Sequence, residues 1–284
     1  MGWTYELENI HNKGEEISLA ELKQIELDIL KAFHDFCMNN DLRYYLAGGT
    51  LLGAVRHQGF IPWDDDIDVL MPRPDYYKFL EMTKEGLGDY EVRSIETHPK
   101  VHTRPFIRIH NPNYMAKLTT PPFYMPPWID IFPMDGLPSD EKESDKHFQK
   151  AFKLKKYVSL SWLPAEYNSK CGKIKMFGKK IVCVLFRAVG HNYFLRKLER
   201  FGTQYSFDDC DYVACVVAGG HGKRERVKKK DFCVPVPMKF EDAYFIGPKG
   251  YHKYLSQLYG KDYMSVPKKI AQTHLASVWK ISQK

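Results

Sequence analysis

The stretch Leu46–Met71 reads LAGGTLLGAVRHQGFIPWDDDIDVLM. It begins as a short apolar strand, passes the pair Gly48-Gly49, and continues from Thr50 as a helical turn. An acidic run follows, and then a second strand of alternating polar and apolar residues. We expect this strand, helix and strand to form the centre of the fold, with the acidic run beside the glycines.

The acidic run predicts a site for a divalent cation. In an extended segment the side chains alternate between two faces, so Asp64, Asp66 and Asp68 are expected to point the same way. Three like charges on one face repel one another, and aspartate is a poor strand former. Oxygen-rich clusters are the sites that Mg²⁺ or Mn²⁺ prefers. We therefore predict Mg²⁺ or Mn²⁺ held by these aspartates.

A fourth acid lies in the short apolar segment Ile129–Phe132, which predicts a buried strand. Burying a carboxylate is costly unless it is paired or bound to a metal. Asp130 is therefore the natural third ligand beside Asp66 and Asp68. Asp135 follows in Pro-Met-Asp-Gly, a turn-like sequence, and we assign it a structural role.

Two other interpretations of the acidic run are weaker. A calcium loop starting at Asp64 would need Gly at position 69 and Glu at position 75, where the sequence has Val69 and Asp75. A polar turn without metal would explain Asp64, but it explains neither Asp68 nor Asp130, which both stand between apolar residues.

Charge is unevenly distributed along the chain. The 284 residues carry a net charge of +7, and the basic excess is concentrated between Lys146 and Arg200. Such a stretch favours nucleic acid, an anionic polymer or a membrane surface, although a solvated helical face has the same composition. Within Gly172–Phe201, basic and apolar residues interleave. This pattern suits a helix lying on an anionic membrane, and it suits a helical subdomain packed on the core as well.

The cysteine pattern and the N-terminal sequence indicate the expected cellular compartment. The six cysteines contain no CxxC pair, which favours a reduced, cytoplasmic chain. A zinc site at Cys210, Cys215, His221 and Cys233 would have atypical spacing, so core cysteines are the preferred interpretation. No signal peptide is expected, and the run Ile181–Phe186 is too short to span a membrane.

Four segments follow from these patterns. We expect an N-terminal leader (1–17), a catalytic core (18–138) that opens on the capping box Ser18/Glu21, a basic helical insertion (139–205), and a C-terminal part (206–284) that completes the catalytic domain.

Two further segments are candidates for phosphate binding. Arg104–His110 and Tyr114–Thr119 flank a turn and predict a hairpin with Arg104 and Arg108 on one face. Arg108 is a candidate ligand for a diphosphate, and a basic edge strand is the alternative. The glycine-rich string Gly219–Lys223 also offers backbone N–H groups, but it lacks Walker spacing.

Glycines followed by Asp-apolar-Asp and a distant buried Asp outline a nucleotidyltransferase-type active site. The segment GGTLLGAVRHQGFIPWDDDIDVLMPR resembles the signature of the LicD family, the phosphocholine transferases of bacterial surface glycans, whose distant relatives include fukutin and fukutin-related protein. IDIFPMDGLP resembles a second family block and KGYHKYLSQLYGKDYMSVP a third. The resemblance implies an α/β (α+β) fold, with a nucleotidyltransferase-like mixed sheet core and flanking helices.

The resemblance also implies a reaction. Phosphocholine, or another phospho-alcohol, would pass from a CDP-linked donor to a sugar hydroxyl of a glycan or glycolipid such as lipopolysaccharide, teichoic acid or capsule, and CMP would leave. The residues that the resemblance assigns to the donor phosphates are Gly48, Gly49 and Thr50, with Arg56 and His57 contacting phosphate or pyrimidine or else capping the helix. Those assigned to the metal are Asp66, Asp68 and Asp130, with Asp64 near them. An aromatic cage for a quaternary ammonium would use Trp63, Tyr124 and Trp128.

Two other functions remain open from sequence. The same carboxylates serve a nucleotidyltransferase that transfers NMP and releases pyrophosphate. A non-catalytic protein would instead bind an anionic polymer through the basic stretch. For the preferred function we expect a CDP-alcohol donor, a glycan acceptor, no nucleic acid, and a cytoplasmic location with peripheral contact at the inner face of the membrane.

Overall fold

The computed structural model describes residues 13–119, 123–165, 173–266 and 275–281. Its helices are α1 (Leu19–Asn39), α2 (Gly48–His57), α3 (Arg73–Met82), α4 (Glu141–Trp162), α5 (Lys173–Val189), α6 (His191–Gly202), α7 (Lys229–Phe232) and α8 (Tyr251–Tyr259). Its strands are β1 (Lys13–Glu16), β2 (Tyr45–Leu46), β3 (Asp68–Pro72), β4 (Glu91–Arg93), β5 (Ile107–His110), β6 (Tyr114–Leu118), β7 (Tyr124–Met125), β8 (Trp128–Leu137), β9 (Tyr212–Ala214), β10 (Val227–Lys228), β11 (Pro235–Phe240), β12 (Ala243–Pro248) and β13 (Leu275–Ile281). The predicted mixed α/β fold is confirmed.

The ten-residue strand β8 is the axis of a seven-stranded mixed sheet. Its first half pairs in parallel with β3 and antiparallel with β5, and its second half pairs with β9. β2 extends the sheet beyond β3, β4 extends it beyond β5, and β10 extends it beyond β9. All but one of the residues of β8 are buried, as expected of a strand with neighbours on both edges.

Helix α1 covers this sheet. Ser18 caps the helix by accepting the N–H of Glu21, and the Glu21 carboxylate accepts the Ser18 N–H in return. The predicted capping box is therefore confirmed. Apolar residues at helical spacing, among them Ile25, Ile29 and Phe33, are buried against the core.

The central strand–helix–strand is formed as the sequence predicts, with shifted bounds. β2 pairs antiparallel with β3, and α2 begins directly after β2, at Gly48 and not at Thr50. β3 begins only at Asp68, so the preceding aspartates lie in the loop that connects α2 to the sheet. Asp65 is buried there, and its carboxylate accepts the N–H of Leu275, the first residue of β13.

The hairpin predicted around residues 111–113 is wrong. β5 pairs with β4 and β8 in the central sheet, whereas β6 pairs with β7 and β13 in a second sheet of order β1-β13-β6-β7. The turn at Asn111 is present, but it leads the chain from one sheet to another. All four residues of β5 are buried, so this strand belongs to the central sheet and not to a hairpin with β6. A turn sequence specifies a change of direction and leaves the pairing partner open.

Three further differences concern the remaining segments. Asp135 lies inside β8 and not in a turn. The hairpin β11–β12 and the strand β13 had no counterpart among the expected elements. The expected leader ends in β1, which pairs with β13, while residues 1–12 lie outside the described part.

Helices α4, α5 and α6 pack on one another in the basic segment. Asp140 caps α4 by accepting the N–H of Glu143, and Gly190 separates α5 from α6 with a positive φ of 91°. The break at Gly190 agrees with the expected one. Among the described residues, no helix has the length and apolar character needed to cross a membrane.

Candidate active site

Three neighbouring strands place charged residues in one row. Asp130 on β8 is the register partner of Asp68 on β3 and of Arg108 on β5. Register partners on adjacent strands project from the same face of a sheet, so the three side chains share one face. Two aspartates that are distant in sequence are thereby side by side, as the sequence predicted.

The N-terminus of α2 faces this row. A Cβ atom added to Gly48 would lie 3.1 Å from Oδ2 of Asp68, and one added to Gly49 would lie 2.8 Å from Oδ2 of Asp64. Gly48 also has a φ of +49°, a left-handed conformation that side chains disfavour. The double glycine therefore lets the backbone of the first helical turn approach two carboxylates without a clash.

Two hydrogen bonds tie the start of α2 to β3, one to the Thr50 side chain and one between backbone groups. The N–H of Asp68 donates to Oγ1 of Thr50 at 2.8 Å, and the N–H of Ala47 donates to the carbonyl of Asp68 at 3.1 Å. No side chain caps the helix at Ala47. The buried Thr50 thus positions the loop, and the first N–H groups of α2 remain available for an anion.

The row carries an excess of negative charge. Loss of solvation raises the pKa of Asp68 well above its usual range. The negative charges of three neighbouring carboxylates raise this pKa further, in decreasing order Asp66, Asp130 and Asp64. The guanidinium of Arg108 opposes the shift. Among the described residues that act on Asp68, the carboxylates that raise its pKa outweigh the one guanidinium that lowers it, and this arrangement suits a bound cation.

Arg108 is buried and already engaged. Its Nε donates to Oδ1 of Asp130 at 2.7 Å, and its Cζ lies 4.1 Å from the ring centroid of Trp128. β5 lies between β4 and β8, so the alternative of a basic edge strand is wrong. Arg104 lies before β5 begins and places its guanidinium over Trp162. The two arginines do not form a common diphosphate clamp.

The chemistry of the donor set fits Mg²⁺ or Mn²⁺, which prefer carboxylate oxygens. The half-buried Asp64, Asp66 and Asp68 lie beside the helix N-terminus, and Asp130 is held in the row by Arg108. Within the four described ranges, however, no group of three or more His, Cys, Asp or Glu side chains converges as a finished ligand set. The aspartates match a divalent ion in the type of their ligand atoms and in their charge, although they do not form a complete ligand set.

Arg56 and His57 lie at the other end of α2, roughly 12 Å along the helix from Gly48 at 1.5 Å per residue. Nη1 of Arg56 donates to the carbonyls of Tyr263 and Ser265, and its Nε donates to the His57 ring. Arg56 thereby holds the segment after α8 against α2. Among the described residues, neither side chain donates to a carbonyl of α2, whose C-terminus is closed by the Gln58 N–H on the Gly53 carbonyl, so these contacts do not match the capping alternative.

The three aromatic residues considered for a cage have separate partners. Trp128 is buried and lies under Arg108. Tyr124 packs edge-on against Trp279, and Trp63 packs edge-on against His57. The face of Trp128 is therefore occupied by a cation of the protein itself.

A pocket of about 150 Å³ opens beside the row. Gly48 and Asp68 line one side, the glycine-rich loop Gly219–His221 lines another, and Tyr259 of α8 lines a third. The hydroxyl of Tyr259 lies 3.8 Å from the Cβ position of Gly48, and burial together with the charge of Asp68 raises the pKa of this hydroxyl. The structure thus brings the third sequence block and the glycine-rich loop to the acidic row.

Two acids near the row were missed by sequence reasoning. Glu225 lines the pocket and is buried, and burial raises its pKa to about 7. Its Oε1 accepts the N–H of His221, while Lys155 of α4 donates to the carbonyl of Gly219. Glu26 of α1 is buried near the acidic loop, and burial with the charge of Asp66 raises its pKa. A Glu on the apolar face of α1 was the one available signal.

Comparison with known proteins identifies relatives. A family model described as LicD/FKTN/FKRP, nucleotidyltransferase domain, matches residues 41–179. The chain is 33% identical over 260 residues to the lipopolysaccharide cholinephosphotransferase LicD of Haemophilus influenzae, covering 89% of this chain and 93% of that protein. A shorter segment is 61% identical over 28 residues to the human ribitol 5-phosphate transferase FKRP, covering 10% of this chain and 6% of the relative.

The similarity to the Haemophilus protein extends over nearly the whole length of both chains, and the FKRP match agrees with it. The resemblance inferred from the motifs is confirmed, and with it the prediction of an enzyme of the transferase class. The chain belongs to the LicD family.

Proposed function

We propose that this chain transfers phosphocholine, or a related phospho-alcohol, from a CDP-linked donor to a sugar hydroxyl of lipopolysaccharide or another cell-surface glycan, with release of CMP. The observation that carries the proposal is the similarity, over 89% of the chain, to a lipopolysaccharide cholinephosphotransferase. The acidic row beside a helix N-terminus supports it, because the transfer of a phosphoryl group needs positive charge around the diphosphate.

Binding of the donor is assigned to the first turn of α2. The N–H groups of Gly48, Gly49 and Thr50 point out of the helix end, where the helix dipole favours a phosphate. The missing side chains at positions 48 and 49 leave room for that phosphate between the backbone and the carboxylates.

Mg²⁺ or Mn²⁺ is assigned to Asp66 and Asp68, with Asp64 and Asp130 near them. When bound, the metal would neutralise charge on the diphosphate and on the leaving CMP. Asp130 is kept in the row by Arg108, whose positive charge also faces Asp68. Arg108 is therefore assigned the role of positioning Asp130 and not of binding the donor directly.

The acceptor sugar is assigned to the pocket beside the row. This pocket adjoins Gly48 and Asp68, so a hydroxyl bound there would meet a phosphoryl group seated on the helix end. Glu225 and Tyr259 line the same pocket and supply polar groups for the sugar.

The test is a panel of CDP-choline, CDP-ethanolamine, CDP-ribitol and CDP-glycerol with Mg²⁺, Mn²⁺ or EDTA and a delipidated lipopolysaccharide acceptor. We expect acceptor-dependent release of CMP that EDTA abolishes, with one donor preferred. Asp66→Ala and Asp68→Ala should lower the rate by at least about a thousandfold, and the surface variant Asp35→Ala should not.

The masses of the products distinguish the proposal from the alternative nucleotidyl transfer. An acceptor that gains phosphocholine together with free CMP supports the proposal. An acceptor that gains a nucleotide, together with free pyrophosphate, contradicts it. Normal turnover by Asp68→Ala would contradict the assigned site.

A further inference from the structure

Helix α5 exposes an apolar surface that the proposed reaction does not use. Its exposed side chains recur three or four residues apart and share one side of the helix, which we call the α5 face: Ile174, Phe177, Ile181, Val184, Leu185 and Val189. Ile174 is 90% exposed and Phe177 is 68% exposed. Large apolar side chains are rarely left so open on a soluble surface without a partner.

The opposite side of α5 is already anchored to the protein. Cys183 is buried, and the ring of Phe186 stacks on Phe194 of α6 with centroids 4.9 Å apart. Phe186 also lies 5.4 Å from the ring of Tyr157 on α4. The packing alternative from the sequence is thus seen: α5 packs on its neighbours with one side. The α5 face points outward, and contact with a membrane stays a prediction.

The α5 face differs from the exposed surfaces of the two longer helices, because α4 exposes Phe152 and Tyr157 as its large apolar side chains and α1 is similar. Helix α1 is longer, with 21 residues against 17, yet among its large apolar side chains Leu19 and Met38 are exposed. Imperfect amphipathicity of a packed helix therefore does not account for the exposed large apolar side chains of α5, which are the six of the α5 face and Val182.

Charge specifies what the α5 face would bind. The segment Lys173–Val189 contains four lysines and Arg187 but no acid, and the chain as a whole is basic. Exposed apolar residues flanked by lysines are typical of helices that lie in the interface of an anionic membrane, where apolar side chains enter the acyl region and cations meet the headgroups. A basic second copy of this chain would meet like charge instead.

We propose that the α5 face docks the protein on a membrane surface that contains anionic phospholipid. The docked helix lies parallel to the surface, with Phe177, Ile181 and Leu185 below the headgroups. Lys155 on α4, against which α5 packs, donates to the carbonyl of Gly219 at the pocket. Docking thereby ties the active-site pocket to a membrane-bound scaffold, where a lipid-linked acceptor would be found.

The experiment is flotation of the full chain with vesicles of phosphatidylcholine alone or with about one third phosphatidylglycerol. We expect the wild type to bind the anionic vesicles at least about tenfold more tightly, and high salt to weaken this binding. Ile181→Glu/Leu185→Glu should lower the affinity at least about tenfold, because two large aliphatic side chains no longer leave water.

Matched controls separate docking from a general effect. Met38→Glu/Met82→Glu makes the same change at two exposed apolar positions on α1 and α3 and should bind as the wild type does. Asp68→Ala should also bind normally, because docking does not require turnover; its binding then stands whether or not the proposed reaction is correct. The substitution Phe177→Trp changes no charge. With anionic vesicles the tryptophan emission of this variant should shift further to the blue than that of the wild type, which shows insertion of the α5 face.

Three results would overturn the proposal. The first is absence of wild-type binding to anionic vesicles at low salt. The second is an equal loss of binding in the Met38/Met82 control. The third is a dimer, seen by light scattering without vesicles, that Ile181→Glu/Leu185→Glu dissociates, because the α5 face would then be covered by a second copy.

Discussion

Strand β8 carries two buried aspartates, Asp130 and Asp135, that have opposite consequences. Asp135 is 1% exposed and makes two hydrogen bonds to Arg73, at 2.6 and 2.8 Å, in a closed pair. Asp130 is also paired with an arginine, Arg108, but it shares its row with Asp68. The separation of five residues is odd, so the two aspartates project from opposite faces of the sheet.

The difference lies in the balance of charge and not in burial. At Asp135 the guanidinium of Arg73 meets one carboxylate directly and lies 3.6 Å from Glu199. Beside Asp130, the carboxylates of Asp66 and Asp64 raise the pKa of Asp68, and the guanidinium of Arg108 lowers it. A closed buried pair of this kind holds the fold, whereas the acidic row suits the cation proposed above.

The comparison is tested most strongly by Asp135→Ala, which leaves Arg73 buried without its partner. We expect a loss of about 3–5 kcal/mol in the free energy of unfolding, measured by urea denaturation. The double variant Arg73→Met/Asp135→Leu removes both charges and should recover part of the loss. A loss below about 1 kcal/mol in the single variant would show that the pair is not structural.

Glu225 differs from both aspartates of β8, because burial raises its pKa to about 7. Between its usual pKa and about 7 the unfolded chain loses this proton while the folded chain keeps it, so the stability falls as the pH rises through this window. Glu225→Gln should remove this loss, which amounts to at most about 3 kcal/mol at 1.36 kcal/mol per pKa unit. Urea titrations at pH 5 and pH 8 measure it, and an unchanged pH slope would contradict the assignment.

Asp68→Asn should separate activity from stability. Removing one of the mutually repelling carboxylates should stabilise the metal-free protein by about 1–2 kcal/mol, while the release of CMP falls by about a thousandfold. Thermal unfolding in EDTA and the transfer assay give the two values. Asp35→Asn, on the exposed side of α1, serves as the control and should change neither. A destabilised Asp68→Asn protein would argue that the row is balanced.

Mg²⁺ should produce the smallest effect. At tenfold excess over its dissociation constant it should raise stability by about 1.4 kcal/mol, or about 3 °C in the melting temperature. The shift should vanish in Asp66→Asn. It should persist in a variant altered at the structural pair, Arg73→Met/Asp135→Leu, provided that this variant folds. An equal shift in Asp66→Asn would place the ion elsewhere.

Local chemistry explains what could be predicted from sequence. The capping box at Ser18, the glycine-led α2, and the strand that begins at Asp68 each follow from residues close in the chain. The adjacency of Asp68 and Asp130 was predictable as well. A buried acid is costly unless it is paired or bound to a metal, so acids in two apolar strands are expected at one common site.

Tertiary placement explains what could not be predicted. Glu225 and Tyr259 meet Asp68 at the pocket although they follow it by well over a hundred residues. Tyr259 stands in the third sequence block, but that block does not show which strand or loop it meets. The pairing of β5 with β8, and of Arg73 with Asp135, likewise depends on which strand takes the central position. Sequence periodicity carries no information on that choice.

The hydrogen bond from Leu275 to Asp65 has a consequence for the order of folding. The two residues are 210 positions apart, so this contact closes a very long loop and forms after the nearby strand and helix contacts. We therefore expect the acidic loop to be fixed only when β13 has joined β6 and β1. The side chains of Asp64 and Asp66 in this loop are then expected to reach their final positions late, after the central sheet has brought Asp68 and Asp130 together.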